Sequence, residues 1–138
     1  MRTILIISLL IHGVAYSQNQ ILGTWFTENK DGKVQIYQQN NKYFGKIIWL
    51  KEPLNKSGKL KVDSNNPNVS LNTKPIIGLI ILKDFQYKDS KWQDGTIYDP
   101  KSGKTYDCTL WLENSNILNV RGYVGFIHST TQWIKIEK

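Results

Sequence analysis

Lys104-Thr105-Tyr106-Asp107-Cys108-Thr109-Leu110-Trp111-Leu112-Glu113 alternates from end to end. On an extended chain Tyr106, Cys108, Leu110 and Leu112 share one side, while Thr105, Asp107, Thr109 and Glu113 share the other. A period of two sustained this long is the pattern of a half-buried β-strand. Turn-forming clusters bound it: Asp99-Pro100-Lys101-Ser102-Gly103 before, and Glu113-Asn114-Ser115-Asn116 after. In the first of these, proline presets φ and glycine accepts a positive φ. The alternation also predicts that the Cys108 thiol faces inward, among leucines.

Outward from that stretch the pattern repeats and helical periodicity is missing. Runs rich in Ile, Val, Thr, Tyr, Phe and Trp occupy 21–27, 33–38, 42–51, 79–87, 92–98, 104–113, 116–126 and 131–137. Between them stand Asn29-Lys30-Asp31-Gly32, Gln39-Asn40-Asn41 and Lys88-Asp89-Ser90-Lys91, all of hairpin-loop length, so neighbours in sequence pair antiparallel. In the third run Tyr43, Gly45, Ile47 and Trp49 alternate with Phe44, Lys46, Ile48 and Leu50, which gives both faces apolar cover. About eight short strands in one domain-sized chain predict an all-β fold. An antiparallel up-and-down β-barrel suits them, because closure removes the exposed edges of an open sheet. The interior of an eight-stranded barrel is either filled by side chains or holds one small ligand.

Two segments depart from this texture. Residues 52–75 are rich in lysine and asparagine and too long for a hairpin loop, so they form either a surface loop or a lid over the barrel mouth. Within them Asn65-Asn66-Pro67 predicts a capped short helical turn over 68–71. The run Ile76-Ile77-Gly78-Leu79-Ile80-Ile81-Leu82 predicts a strand buried on both faces.

At the start of the chain, Met1-Arg2 precedes the apolar run Ile4 to Ile11, and Ala15-Tyr16-Ser17 places small residues at −3 and −1 of a cut before Gln18. That layout predicts a secretory signal peptide over 1–17 and a barrel domain over 18–138. The apolar run is too short to span a bilayer, and no later segment reaches the ~20 apolar residues of a membrane helix. The expected address is therefore export.

Composition excludes several classes of protein. A hydrophobic fraction of 40% with 12% aromatics is too rich for a disordered chain. One cysteine forms no intrachain disulfide, and one thiol with two histidines makes no structural zinc set. The net charge of +7 comes from lysines spread among turns, the arrangement of a solvated surface and not of a nucleic-acid track. His128 and Ser129 are adjacent in a strand, so they point to opposite faces and cannot pair. A Cys108–His128 dyad would need an electropositive, partly open setting, against the leucine-walled one predicted. Asp94, Asp99 and Asp107 are scattered, and no phosphate loop or metal-ligand spacing is present, so neither a cofactor nor a catalytic constellation is indicated.

Several motifs are familiar in their order. Gly23-x-Trp25 is similar to the opening of lipocalin-like barrels. It is followed by Val34-Gln35-Ile36-Tyr37, Gly45-Lys46-Ile47, Asp63-x-x-Asn66-Pro67 and Pro75-x-x-Gly78. Then come the long block Trp92-x-x-Gly95-x-Ile97-Tyr98-Asp99-Pro100-x-Ser102-Gly103-Lys104-x-Tyr106, Arg121-Gly122-Tyr123 and Thr131-Gln132-Trp133. Over nearly the whole length after residue 17 the chain resembles a family of exported bacterial proteins, the domain of unknown function 2147. The resemblance implies a lipocalin-like barrel in the bacterial envelope, periplasmic or secreted, with no catalytic or ligand residues to transfer. Members often carry Arg near the end of the last strand, where this chain has Lys135; Arg121 is then an alternative partner for the Trp25 ring.

These lines predict a non-enzymatic barrel that binds a small apolar or amphiphilic molecule inside. Trp25, Tyr43, Trp49 and Tyr106 are the expected lining, and Lys46 and Arg121 the expected anchors for a ligand carboxylate. The alternatives are an envelope interaction or structural module with a filled barrel, and an unrecognised hydrolase or thiol enzyme.

Overall fold

The computed structural model describes residues 17–137. The leader expected over 1–17 falls, but for Ser17, outside the described residues. Eight strands follow one another: β1 (Gly23–Phe26), β2 (Gly32–Gln39), β3 (Lys42–Leu50), β4 (Ile80–Lys88), β5 (Lys91–Asp99), β6 (Lys104–Asn114), β7 (Ile117–Val124) and β8 (Ile127–Ile136). Each pairs antiparallel with the next, and β8 returns to β1, so the sheet is a closed up-and-down barrel. Among the described residues there is no helix.

One end of the barrel is tightly tied. The turns Asn40-Asn41 and Asp89-Ser90 have positive φ at both residues, the mirror-image geometry that matches the twist of hairpin strands. At this end the N-terminal turn inserts Ile21, fully buried, between the strands. Trp25 Nε1 donates to the Ile21 carbonyl at 2.9 Å, and Lys135 Nζ donates to the Leu22 and Gln20 carbonyls at 2.6 and 3.1 Å. The same ammonium lies 4.8 Å from the Trp25 ring centre. Lys135 thus takes the place offered to an arginine, and Arg121 is not the partner of Trp25.

The other end, the mouth, carries the longer connections between β1 and β2, β3 and β4, and β5 and β6, together with the β7–β8 tip. Over 68–71 a hydrogen-bonded turn forms, Leu71 N donating to the Asn68 carbonyl at 2.9 Å, but it does not continue as a helix. Asn68 Oδ1 accepts from Ser70 N and Oγ, and Asn66 Oδ1 accepts from Asn68 N. Such local side-chain turns satisfy the backbone without a helix. The run Ile76 to Leu82 is also corrected: Ile81 and Leu82 are buried, but Ile77 is exposed and β4 begins only at Ile80.

Large side chains fill the inside. Trp25, Tyr43, Phe85 and Trp92 are each 1% exposed or less, joined by Val34, Ile36, Leu82, Leu110 and Leu118. Glycines make the room. A Cβ on Gly95 would stand 2.4 Å from the Phe85 ring, and one on Gly45 would stand 2.8 Å from Leu82. Register shifts in β3, β5 and β6 bend the strands around this core.

Gly95→Ala drives a methyl into the Phe85 ring and should cost about 1–3 kcal/mol in denaturant unfolding. Adding Phe85→Leu should recover part of that loss. A Gly95→Ala protein as stable as the parent would contradict the close approach.

Candidate functional site

The expected site residues separate into two groups. Trp25 and Tyr43 are inside, but as packed core: the Tyr43 and Trp92 rings meet edge-on at 6.2 Å, and Tyr87 lies 4.9 Å from Trp92. Tyr43 Oη and Trp92 Nε1 are buried and approach one another without a well-formed hydrogen bond, and burial pushes the Tyr43 phenol up against the lowering pull of the indole N–H. Tyr106 faces inward near the mouth and is half-buried.

Lys46, Trp49 and Arg121 stand on the outer wall, which corrects their assignment to the interior. Lys46 alternates with buried Gly45 and Ile47 and lies over the Tyr37 ring at 5.6 Å. Arg121 alternates with buried Val120, lies 4.7 Å from the Trp111 ring centre and donates from Nε to Thr130 Oγ1 at 2.8 Å. Trp49 was placed inward by simple alternation. The register with β2 jumps from Val34 opposite Ile47 to Lys33 opposite Trp49, leaving Ile48 as an extra residue. That bulge turns Trp49 outward, against Phe26 at 6.3 Å and Lys33 at 4.7 Å.

Above the core, the inward-phase positions at the open end of the barrel line its mouth, a region termed the cup below. The pairing sets its walls: Tyr106 is opposite Ile97, Cys108 is opposite Gly122, and Gly122 is opposite Ser129. Continuing the alternation, Val124 and its partner Ile127 face the barrel axis too. Yet Val124 is 60% and Ile127 75% exposed, so no side chain from across the mouth covers them. A Cβ on Gly122 would meet Tyr106 Cβ at 3.8 Å and Ile97 Cγ2 at 3.9 Å, ordinary contacts, so this part of the wall is lined by those two side chains and tolerates a methyl. Cys108, 2% exposed, lies at the foot of this wall. The sequence signal for the cup was the apolar sequence Val124-Gly125-Phe126-Ile127 around a glycine. The turn falls at Gly125-Phe126 and not at 127–130, so β8 begins four residues earlier than expected.

A latch fixes the long loop beside the cup. Asp63, 1% exposed, accepts from the Tyr98 hydroxyl at 2.7 Å and from Asn66 Nδ2 at 2.8 Å. Asn65 Nδ2 donates to the Pro100 and Lys101 carbonyls at 3.2 and 3.0 Å. The Asn65 carbonyl sits so close to Gly103 that a Cβ there would stand 1.9 Å from it. Gly103 also has φ +72°, so glycine is required twice over. Burial and the bond to Asp63 push the Tyr98 phenol up to about 12. Two surface hollows lie outside the barrel interior. One of about 350 Å³ runs under the latch between Asn55, Val62, Asn65, Ile76 and Lys101. The other, of about 280 Å³, opens at the tied end beside Gln18, Asn40, Asn41 and Gln86.

The reactive groups do not meet. Cys108 is inside the wall, and burial raises its thiol to about 12. His128 is outside it, edge-on to Tyr123 at 6.0 Å. Among the described residues no three His, Cys, Asp or Glu side chains could hold a metal ion. No helix among them is long and apolar enough to cross a membrane.

A family model described as "Uncharacterized protein conserved in bacteria (DUF2147)" matches residues 23–135. No curated protein matches the chain. A solved structure described as "Protein HP1028 from the human pathogen Helicobacter pylori belongs to the lipocalin family" is similar over 85% of this chain and 83% of that one. Its TM-score is 0.73 at 23% sequence identity, a likeness of fold.

Two titrations check this geometry. Between pH 9 and 12 the unfolded chain releases the Cys108 proton while the folded chain keeps it, so stability falls as pH rises. Cys108→Ala should make that alkaline slope shallower by up to about 1.4 kcal/mol per pH unit; an unchanged slope would place the thiol in water. Asp63→Ala should bring the Tyr98 phenol down from about 12 towards 10.0, read by tyrosinate absorbance, with faster amide exchange across 63–75. Unchanged absorbance would mean that the latch does not hold Tyr98.

Proposed function

The chain belongs to the DUF2147 family of bacterial proteins, and we propose that it is an exported, non-enzymatic protein binding a small apolar or amphiphilic molecule at the barrel mouth. The observation that carries this is the uncovered inward face of the β7–β8 hairpin, Val124 and Ile127, above a fully packed floor. Small-molecule sites are mostly apolar concavities with a few polar groups, and here Ser129 and the Tyr106 hydroxyl are the polar groups in reach of the cup. The lower barrel has no room for a ligand beside Trp25, Phe85 and Trp92, so the molecule would enter the cup and stop there. Lys46 and Arg121 take no part in this reading. Export rests on the leader pattern of residues 1–17, and the separation of Cys108 from His128 by the barrel wall supports a role without chemistry.

The packed lower barrel favours a second reading, an envelope interaction module whose outer surface does the work. Native mass spectrometry and calorimetry of residues 18–138 against fatty acids of rising chain length separate the two. The first reading expects stoichiometric binding with a negative heat-capacity change. Gly122→Leu, which puts a bulky side chain between Tyr106 and Ile97 in the mouth wall, should weaken it about tenfold or more, while Lys46→Ala and Arg121→Ala should leave it unchanged. No bound fatty acid, or binding indifferent to Gly122→Leu, would leave the interaction module as the function.

A further inference from the structure

We propose that the mouth end of the barrel docks on an anionic lipid bilayer. Exposed large hydrophobic residues are distributed unevenly over the described surface. All but Ile134 lie in the mouth-end connections, at the strand ends beside them, or at Ile48 and Trp49 on the mouth side of β3. Phe126 at the β7–β8 tip is 104% exposed, more open than in an extended chain, and Val69, Leu60 and Leu54 in the long loop are 77, 56 and 50% exposed. Apolar groups this exposed and this concentrated mark an interaction surface.

Charge selects the partner. The same loop carries Lys51, Lys56, Lys59, Lys61 and Lys74, and the adjoining β5–β6 turn adds Lys101. The β1–β2 connection adds Lys30, and against these seven lysines stand the exposed Glu28, Asp31 and Glu52, Asp31 lying 3.8 Å from Lys101, whereas Asp63 is buried and engaged by Tyr98 and Asn66. At the opposite end the connections 40–41, 89–90 and 115–116 contain one charged residue, Asp89; Lys42, Lys88 and Lys91 flank them, but no exposed large apolar side chain stands in these connections to insert into a bilayer. Lysines interleaved with protruding Phe, Leu and Val on one pole are the chemistry of a peripheral membrane contact: apolar tips enter the acyl boundary and cations meet anionic headgroups. A second copy of this chain would bring like charge to the same pole, and a nucleic acid would leave Phe126 and Val69 in water. The latch matters here. Hydrogen bonds from Asn65 and Tyr98 fix the loop to the β5–β6 turn, so the surface is formed before docking.

Cosedimentation of residues 18–138 with vesicles tests the proposal independently of any ligand in the cup. One set is phosphatidylcholine alone, and the other contains about a third phosphatidylglycerol. Binding is expected to the anionic set only, and to be lost at high salt. Phe126→Ser should lower the partition about tenfold, and Lys56→Glu with Lys59→Glu should lower it at least as far, at roughly fivefold per lysine. These side chains are exposed, so circular dichroism should show the fold intact. Gly122→Leu should dock as the parent does. Equal binding to both vesicle sets, binding to neither, or a Phe126→Ser change confined to self-association in sedimentation velocity would each overturn the proposal.

Discussion

The barrel depends on a seam closed by its shortest strand. β1 spans Gly23–Phe26 and must pair with β2 on one side and β8 on the other, meeting β8 only at Thr24, Trp25 and Phe26. So short a ladder cannot hold two sheet edges together by backbone hydrogen bonds alone, each worth about 1 kcal/mol net. Trp25 supplies the rest. Its ring is buried at the joint, its indole N–H is satisfied by the Ile21 carbonyl, and Lys135 of β8 lies over its face. Lys135 then donates back to the segment ahead of β1, so one side chain ties both sides of the joint to the N-terminal turn. Burial holds its ammonium below the usual lysine range, an electrostatic penalty offset by two carbonyl acceptors and the ring.

Inside the closed seam, volume decides what remains available. An eight-stranded barrel is just wide enough for side chains to fill. Here two tryptophans, a tyrosine and a phenylalanine occupy the lower part, with glycine required at position 95 against Phe85 and at position 45 against Leu82. The arrangement leaves Tyr43 Oη and Trp92 Nε1 with no hydrogen bond of good geometry beyond their mutual approach. Tight aromatic filling below and an uncovered hairpin above are therefore two halves of one design. The volume used at the tied end is the volume that a deep calyx would have needed.

Much of this was legible in the sequence. Alternation located all eight strands, placed Cys108 inward beside Leu110 and Leu112, and with the turn clusters indicated a closed barrel. Family motifs added the lipocalin-like fold. What alternation could not supply was register. Trp49 turned outward because of the single extra residue Ile48, a feature visible only once β2 is laid beside β3. Lys46 and Arg121 were chosen for their charge, though Lys46 stands opposite in phase to Tyr43 and Ile47. The latch was hidden for another reason. Asp63 and Tyr98 are 35 residues apart, and no local pattern records a contact at that range. The turn expected over 68–71 forms but does not lengthen into a helix, and the Asn66 and Asn68 side chains take up the Asn68 and Ser70 N–H groups beside it.

The joint between β1 and β8 also dictates the order in which the molecule can be built. The hairpins β2–β3, β4–β5 and β6–β7 close through two-residue turns, contacts that cost little loop entropy and form early. The seam links Thr24 to Ile136, across almost the entire polypeptide. A ribosome must therefore deliver β8 before either rim of the ribbon is satisfied, and a nascent chain stalled short of residue 127 displays two bare edges ready to pair with a neighbour.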